Sequence, residues 1–210
     1  MDTQFLWQFL ETTQAEELFR LKDRYDNWQS RILDRFDKLA KKYGTLHLLK
    51  RGLDIDDVHL HLMYPSPLAS SSDKVRQNFA ANIFSSTRQV RYSMTNTLEE
   101  IDMVLFLNGL PFATLELKNP WTGQTARYHG QKQYRQDRDT SQTLLHFGRC
   151  LVHMTVDTDE AYMTTKLAGQ STFFLPSSIL EMNDPEIVLT PGWMRAKSSQ
   201  PGSRPFIGSI

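Results

Sequence analysis

The fold is decided by residues 101–118, which read IDMVLFLNGLPFATLELK. The apolar run 101–107 is interrupted only by Asp102, and it predicts a strand that carries one charged side chain. Asn-Gly at 108–109 is a strong signal for a tight hairpin turn, because glycine and asparagine tolerate the backbone that such a turn needs. Residues 111–118 then predict the returning strand. The stretch therefore predicts an antiparallel β-hairpin with acidic residues on both strands.

Three charged side chains of this hairpin form a candidate site. Glu116 and Lys118 are two residues apart, so on a strand they point to the same face. The hairpin brings Asp102 close to Glu116, depending on the register. Two neighbouring carboxylates suit a hard divalent cation such as Mg²⁺, which can polarise a phosphoryl oxygen and generate hydroxide from water. Lys118 could orient that water or neutralise charge in the transition state, so the pattern favours phosphodiester hydrolysis. The alternative is an ordinary solvated Glu/Lys pair.

The N-terminal third of the sequence predicts helix. Its apolar residues recur at alternating steps of three and four, which places them on one face of an α-helix. They are Leu18, Leu21, Tyr25, Trp28, Ile32, Phe36, Leu39 and Tyr43. Thr13 and Glu16 have the spacing of a capping box, and Gly44 fits the far end of the helix.

The rest of the sequence predicts strands mixed with helices. Helices are expected at 73–85 and at 124–138, the second of them basic, and further strands at 89–93, 150–156, 160–165 and 171–175. Strands and helices in this order predict an α/β (α+β) architecture with a small sheet. Cys150 and His153 lie in an apolar run and are expected to be core residues rather than reactive groups.

The composition of the chain excludes several classes of protein and site. The chain has 210 residues with 24 Lys+Arg and 24 Asp+Glu, so zero net charge excludes a global attraction to polyanions but not a local basic face. A single cysteine excludes an intramolecular disulfide and a cysteine-rich zinc site. No apolar run approaches the roughly 20 residues that cross a bilayer, and the N-terminus lacks the pattern of a signal peptide. We therefore expect a cytoplasmic protein with no membrane partner.

The chain resembles the N-terminal region of the restriction (R, or motor) subunit of type I restriction–modification enzymes. Three stretches carry the resemblance: 84–93 (FSSTRQVRYS), 101–111 (IDMVLFLNGLP) and 115–124 (LELKNPWTGQ). It continues through 133–139 and 149–153 and covers about residues 5–176. The Asn-Gly-Leu-Pro turn followed by Glu-Leu-Lys is far more specific than the bare pattern of acidic residues.

This resemblance implies a PD-(D/E)xK nuclease core, in which a central mixed sheet is flanked by helices. In such nucleases the two carboxylates, here Asp102 and Glu116, bind Mg²⁺, and the lysine, here Lys118, assists catalysis. The family also carries a glutamine and a tyrosine spaced Gln-x-x-x-Tyr on the following helix. Gln131 and Tyr134 match best, although they have one residue fewer between them and another glutamine directly precedes the tyrosine.

The resemblance also implies how the chain is divided and what it binds. We expect a helical N-terminal extension at 1–72, the nuclease core at 73–180 and a poorly ordered or divergent tail at 181–210. The expected partners are double-stranded DNA and the methyltransferase and specificity subunits. The sequence has no Gly-x-x-x-x-Gly-Lys-[Ser/Thr] phosphate loop, so we expect it to be a fragment, with ATP bound only by the full-length subunit.

Basic side chains around the motif are candidate contacts to DNA phosphates: Arg88, Arg91, Arg127, Lys132, Arg135 and Arg138. Such contacts position DNA without reading its sequence. We assign the reading of the target sequence to the specificity subunit. Two alternatives remain open. His59 and His61 could be metal ligands on one strand face, and the whole domain could be a non-catalytic docking or DNA-binding module that keeps the nuclease fold.

Overall fold

A computed structural model describes residues 1–96 and 98–177 of the chain, and the predicted tail at 181–210 lies outside them. Its five α-helices are α1 (Thr3–Thr13), α2 (Ala15–Arg24), α3 (Trp28–Tyr43), α4 (Thr45–Arg51) and α5 (Asp73–Ala80). Within this described part, no helix combines the length and the apolar character needed to cross a membrane.

The strands form two sheets. A two-stranded sheet consists of β1 (Leu53–Ile55) and β2 (Val58–Leu60). The main sheet has six strands in chain order: β3 (Phe84–Arg91), β4 (Glu100–Leu107), β5 (Leu110–Leu117), β6 (Val152–Val156), β7 (Ala161–Thr164) and β8 (Leu175–Pro176). All neighbouring strands are antiparallel except β5 and β6, which are parallel. The sheet is therefore mixed, and the predicted α/β (α+β) class is confirmed.

The crossover between the two parallel strands carries helical turns. A single 3-10 turn at Pro120–Thr122 is followed by two π-helical stretches, Ala126–Gly130 and Gln133–Asp137. The residues between those stretches are helical as well, so 126–137 forms one continuous π-helical segment. The helix predicted at 124–138 is thus present, but with wider turns than an α-helix. The helix predicted at 73–85 ends earlier, at Ala80, because β3 begins at Phe84.

The prediction of one continuous N-terminal helical face is wrong at one point. The chain leaves the helical conformation at Tyr25, which is extended with φ −140° and ψ 119°, and α3 starts three residues later. Asp26 and Asn27 favour turns, because their short polar side chains compete for backbone hydrogen bonds. The apolar period continues across this break since α2 and α3 bury their apolar faces in the same core.

The two helix ends expected from the sequence have different outcomes. The prediction of a capping box at Thr13 is wrong, because Thr13 is the last residue of α1 rather than the first residue before a helix. Its hydroxyl donates to the carbonyl of Phe9 (2.8 Å). Gly44 at the end of α3 is confirmed, with φ 82°. Glycine tolerates this left-handed backbone without steric cost.

The N-terminal helices and the central hairpin share one core. Leu110 of β5 is buried in the same cluster as apolar residues of α1, α2, α3 and α4. The amide of Asp2 donates to the carbonyl of Gly109 at the hairpin turn (2.8 Å). The segment 1–72 also contributes the β1–β2 sheet, so it is not wholly helical. A second core packs the π-helical segment against the sheet through Tyr134, Val104 and Phe106.

Candidate active site

The parallel strands β5 and β6 end at the same edge of the sheet, and the candidate residues lie there. Glu116 is the penultimate residue of β5, and its neighbour on β6 is Thr155. Lys118 directly follows the strand and extends the ladder, because its amide donates to the carbonyl of Val156 (2.8 Å). The alternation of side chains along β5 points Glu116 and Lys118 to one face, as the sequence predicted.

Asp102 reaches this edge from β4 at an irregular point of the sheet. The β3–β4 register pairs the residues on either side of Asp102 but not Asp102 itself. At the matching position of β3, Gln89 has φ 52°, a left-handed backbone that costs a non-glycine residue about 1–3 kcal/mol. The carboxylate of Asp102 accepts a hydrogen bond from the amide of Leu117 (2.8 Å). This bond ties the carboxylate to the end of β5.

Lys118 brings the two carboxylates together. Its Nζ lies 3.5 Å from Oδ2 of Asp102 and 3.7 Å from Oε2 of Glu116. The lysine side chain is only 6% exposed and that of Glu116 is 0% exposed, whereas that of Asp102 is 37% exposed. The three side chains therefore converge, as the hairpin predicted. Asp102 forms the solvent-facing side of the cluster.

Glu116 also carries an ion pair that the sequence did not predict. Its Oε1 accepts from Nε (2.8 Å) and lies 2.7 Å from Nη2 of Arg138, the residue that follows the π-helical segment. Its Oε2 is buried and has no hydrogen-bond partner among the described residues. Burial raises the pKa of the Glu116 carboxyl to about 7, an effect that Arg138 opposes and the nearby Asp102 carboxylate reinforces.

A second buried oxygen at the site lacks a partner. Oγ1 of Thr155, beside Glu116 on the neighbouring strand, makes no hydrogen bond within the part of the chain described. The π-helical segment approaches this threonine through Gly130, where an added Cβ would lie 2.8 Å from Cβ of Thr155. Glycine is needed there because any side chain would push the segment away from β6.

The predicted glutamine and tyrosine are both buried. Tyr134 is completely buried, and its hydroxyl is 2.7 Å from Oγ1 of Thr114, which is in turn 2.7 Å from Nδ1 of His153. The phenol is therefore engaged within the core against the sheet, and a catalytic role for Tyr134 stays a prediction. Gln131 is 7% exposed, and the alternative Gln133 has a buried Oε1 without a hydrogen-bond partner among the described residues.

The predicted DNA-contacting cations fall into two groups. Arg88, Arg127 and Lys132 are exposed and form no ion pair with any described residue. The others are engaged within the domain. Arg91 pairs with Glu100 (3.0 Å), Nε of Arg135 donates to the carbonyl of Thr172 (3.0 Å), and Arg138 is held by Glu116 as described above.

The other candidate site is a local contact. Nδ1 of His59 is 2.6 Å from Oδ1 of Asp54, and the rings of His59 and His61 meet edge to face at 4.8 Å. Residues 1–96 and 98–177 contain no group of three or more His, Cys, Asp or Glu side chains placed to hold a metal. The predicted core positions of Cys150 and His153 are confirmed, since both are buried.

The Asp102–Glu116 edge has the donor chemistry that a hard divalent cation prefers. One carboxylate has a buried oxygen without a hydrogen-bond partner among the described residues, and the other is partly exposed to solvent. Two carboxylates leave most of an octahedral shell to water or phosphate oxygens, as is usual for Mg²⁺.

Two comparisons with known proteins bear on this site. No curated protein matches the sequence. The sequence model of a family described as the type I restriction enzyme R protein N terminus matches residues 4–172, which include every candidate residue above. Because that match covers most of the 210 residues, the chain belongs to the family of type I restriction enzyme R protein N-terminal regions.

Proposed function

We propose that this domain is the Mg²⁺-dependent endonuclease of a type I restriction R subunit and hydrolyses phosphodiester bonds of double-stranded DNA. The observation that carries the proposal is the convergence of Asp102, Glu116 and Lys118 at one edge of the sheet, within 3.7 Å of the lysine amine. Structural ion pairs also bring such groups together. A buried carboxylate oxygen without a hydrogen bond in that cluster favours function, because such an atom is costly to leave unsatisfied.

The residues have distinct roles in this proposal. Asp102 and Glu116 would hold the Mg²⁺, which when bound supplies a Lewis acid and a source of hydroxide at neutral pH. Lys118 places its ammonium between the carboxylates, where it stabilises the negative charge that develops on the phosphate. Asp102 is the exposed member of the cluster, so the scissile phosphate approaches from its side.

Family membership supports the remaining parts of the proposal. We expect the domain to act in a complex with methyltransferase and specificity subunits, in the cytoplasm. ATP binding is proposed only for the full-length subunit, because the 210 residues contain no phosphate loop. Target recognition then belongs to another subunit, while exposed cations on this domain hold DNA by its phosphates.

The test compares three activities of the reconstituted type I complex carrying Lys118→Ala in this domain. We expect cleavage of plasmid DNA to fall by about a hundredfold or more, since a positioned cation is lost from a transition state that gains negative charge. DNA binding and ATP hydrolysis should change little. Lys41→Ala, on an exposed face of α3, is the control and should leave all three activities unchanged.

A second function is a non-catalytic docking or DNA-binding module. It is favoured by one observation: Lys118 and Arg138 neutralise the two carboxylates without a metal, so the cluster is also a stable internal ion-pair network. Wild-type cleavage by Lys118→Ala would refute the catalytic proposal. Loss of cleavage together with ATP hydrolysis would support the docking role instead.

A further inference from the structure

We infer that Arg138 is the positioning residue of the cation site: it fixes Oε1 of Glu116 and so reserves Oε2 for the metal. This inference rests on the proposed function. It differs from the prediction made from the sequence, in which Arg138 contacts DNA phosphates. The described geometry instead directs its guanidinium into the protein, where its side chain is only 10% exposed.

The contact between the two residues is asymmetric. Nε and Nη2 of Arg138 lie 2.8 and 2.7 Å from the same oxygen, Oε1, rather than one nitrogen on each oxygen. An arginine that only neutralised a carboxylate would gain more from a fork on both oxygens. The arrangement leaves Oε2 directed to Lys118, 3.7 Å away, whose amine also lies 3.5 Å from Oδ2 of Asp102. The two carboxylates therefore share the lysine amine, and Oε2 is the oxygen of Glu116 that lies on the side of that lysine.

The structure also holds the guanidinium in place. The amide of Arg138 donates to the carbonyl of Gln133 (3.0 Å), five residues earlier, which closes the wide last turn of the π-helical segment. The ring of Tyr92 lies 5.9 Å from the guanidinium carbon and provides a cation–π contact. Such π-type turns occur frequently at functional sites because they re-aim a side chain. Here the turn aims Arg138 at Glu116.

Positioning and competition predict opposite effects on metal binding. If Arg138 merely competed with the metal for Glu116, its removal would relieve repulsion between two cations and tighten metal binding. If Arg138 positions the carboxylate, its removal lets Glu116 turn so that Oε2 is no longer held in place, and metal binding weakens. Loss of an outer partner of a metal ligand typically costs 10- to 100-fold in affinity.

The experiment is a Mn²⁺ titration of the whole chain, followed by the electron paramagnetic resonance signal of free Mn²⁺. We expect Arg138→Gln to weaken Mn²⁺ binding by about 10- to 100-fold. The Mn²⁺ affinity of Arg138→Lys should lie between that of Arg138→Gln and that of the wild type, because lysine restores the charge but not the paired N–H groups. Arg149→Gln is the matched control: it breaks another ion pair with a buried arginine, to Asp37, and should not change the affinity.

Each outcome decides the inference. Unchanged or tighter Mn²⁺ binding by Arg138→Gln overturns it. Asp102→Asn and Glu116→Gln test the metal site itself, and both should lose Mn²⁺ binding. If they keep wild-type affinity, or if the wild type binds no Mn²⁺, the proposed function falls together with this inference. If they lose binding while Arg138→Gln does not, only the role of Arg138 is rejected.

A second measurement avoids any effect of substitution on folding. In a crystal structure of the wild-type protein with Mn²⁺, the guanidinium of Arg138 should remain on Oε1 while the metal lies on Oε2. A guanidinium that has left Glu116 in the metal-bound protein would show that Arg138 is a competitor and would overturn the inference.

Discussion

At the scale of single residues, the cost of burying Glu116 shapes the site. A fully buried carboxylate loses its hydration, and this loss is offset only by charged partners with good geometry. Arg138 supplies two hydrogen-bonding nitrogens, and Lys118 supplies a more distant positive charge. Neither residue donates a hydrogen bond to Oε2. The two acidic and two basic side chains nearly cancel in charge, but Oε2 is still available as an acceptor.

His153 makes the stability of the domain depend on pH. Burial lowers its pKa from 6.5 to about 4, so the folded protein keeps this ring neutral while the unfolded chain protonates it below about pH 6.5. The unfolded state therefore binds more protons between these values, and the folded state loses stability as the pH falls from about 6.5 to about 4. The contribution of this residue is about 3 kcal/mol at most.

The measurement is the free energy of unfolding in urea across this pH range for the wild type and His153→Gln. Glutamine can still hydrogen-bond to Thr114, so its folded state is a fair reference. The difference between the two proteins isolates His153 from the other titrating groups. We expect the acid-induced loss to be smaller in the variant by about 3 kcal/mol or less. Parallel curves for the two proteins would contradict the assignment.

At the scale of elements, the β4–β5 hairpin connects the site to the N-terminal helices. Its turn residues, Asn108 and Gly109, have φ 51° and 75°. A Cβ on Gly109 would lie 2.0 Å from the carbonyl oxygen of Asp2 and 2.8 Å from the amide nitrogen of Leu6. Both neighbours are backbone atoms at the start of α1, one of its N-cap residue and one of its first turn, so the hairpin turn needs glycine for its conformation and for this close contact.

We expect Gly109→Ala to destabilise the protein more than Gly123→Ala does. The two glycines have nearly the same φ, 75° and 74°, but an added Cβ on Gly123 would meet nothing within 4 Å. Gly123→Ala should therefore cost only the about 1–2 kcal/mol of the left-handed backbone. Urea unfolding of both variants measures the comparison. Equal losses would show that α1 moves away from the turn at no cost.

The same elements show how far the sequence alone could lead. The hairpin was predictable because Asn-Gly between two apolar runs specifies a local turn, and the period of two along β5 placed Glu116 and Lys118 on one face. The break at Tyr25 was hidden by an apolar period that two packed helices share. The partner of Glu116 could not be predicted, because Arg138 lies 22 residues away in sequence and reaches it through the crossover.

At the scale of the whole molecule, the proposed binding to DNA requires a local surface. The 24 basic and 24 acidic residues cancel, so attraction to a polyanion depends on cations that have no acidic partner. Of the six candidates, Arg88, Arg127 and Lys132 are both exposed and free of an acidic partner among the described residues, whereas Arg135 lacks an acidic partner but is partly buried and donates to the carbonyl of Thr172. Two of these three belong to the π-helical segment, which packs on β5 and β6 beside the candidate active site.

The salt dependence of DNA binding tests this surface. Each lysine or arginine that neutralises a phosphate releases counterions, so it adds about 0.9 to the steepness of log K against log salt concentration. We expect the double variant Arg127→Ser/Lys132→Ser to bind a duplex more weakly, with the steepness reduced by about 2. Fluorescence anisotropy over a series of salt concentrations gives both quantities. The loss should be the same for duplexes of different sequence, because phosphate contacts carry no sequence information.

The matched control removes two positive charges from another part of the molecule. Arg31 and Lys38 lie on α3, in the N-terminal helices, and the variant Arg31→Ser/Lys38→Ser has the same net charge as the test variant. If only total charge mattered, the two double variants would weaken binding equally. A reduced steepness confined to Arg127→Ser/Lys132→Ser would place the DNA along the π-helical segment. Equal slopes in all three proteins would exclude this segment from the proposed DNA-binding surface. The proposed metal site would then lack the phosphate contacts that we expect to present the substrate.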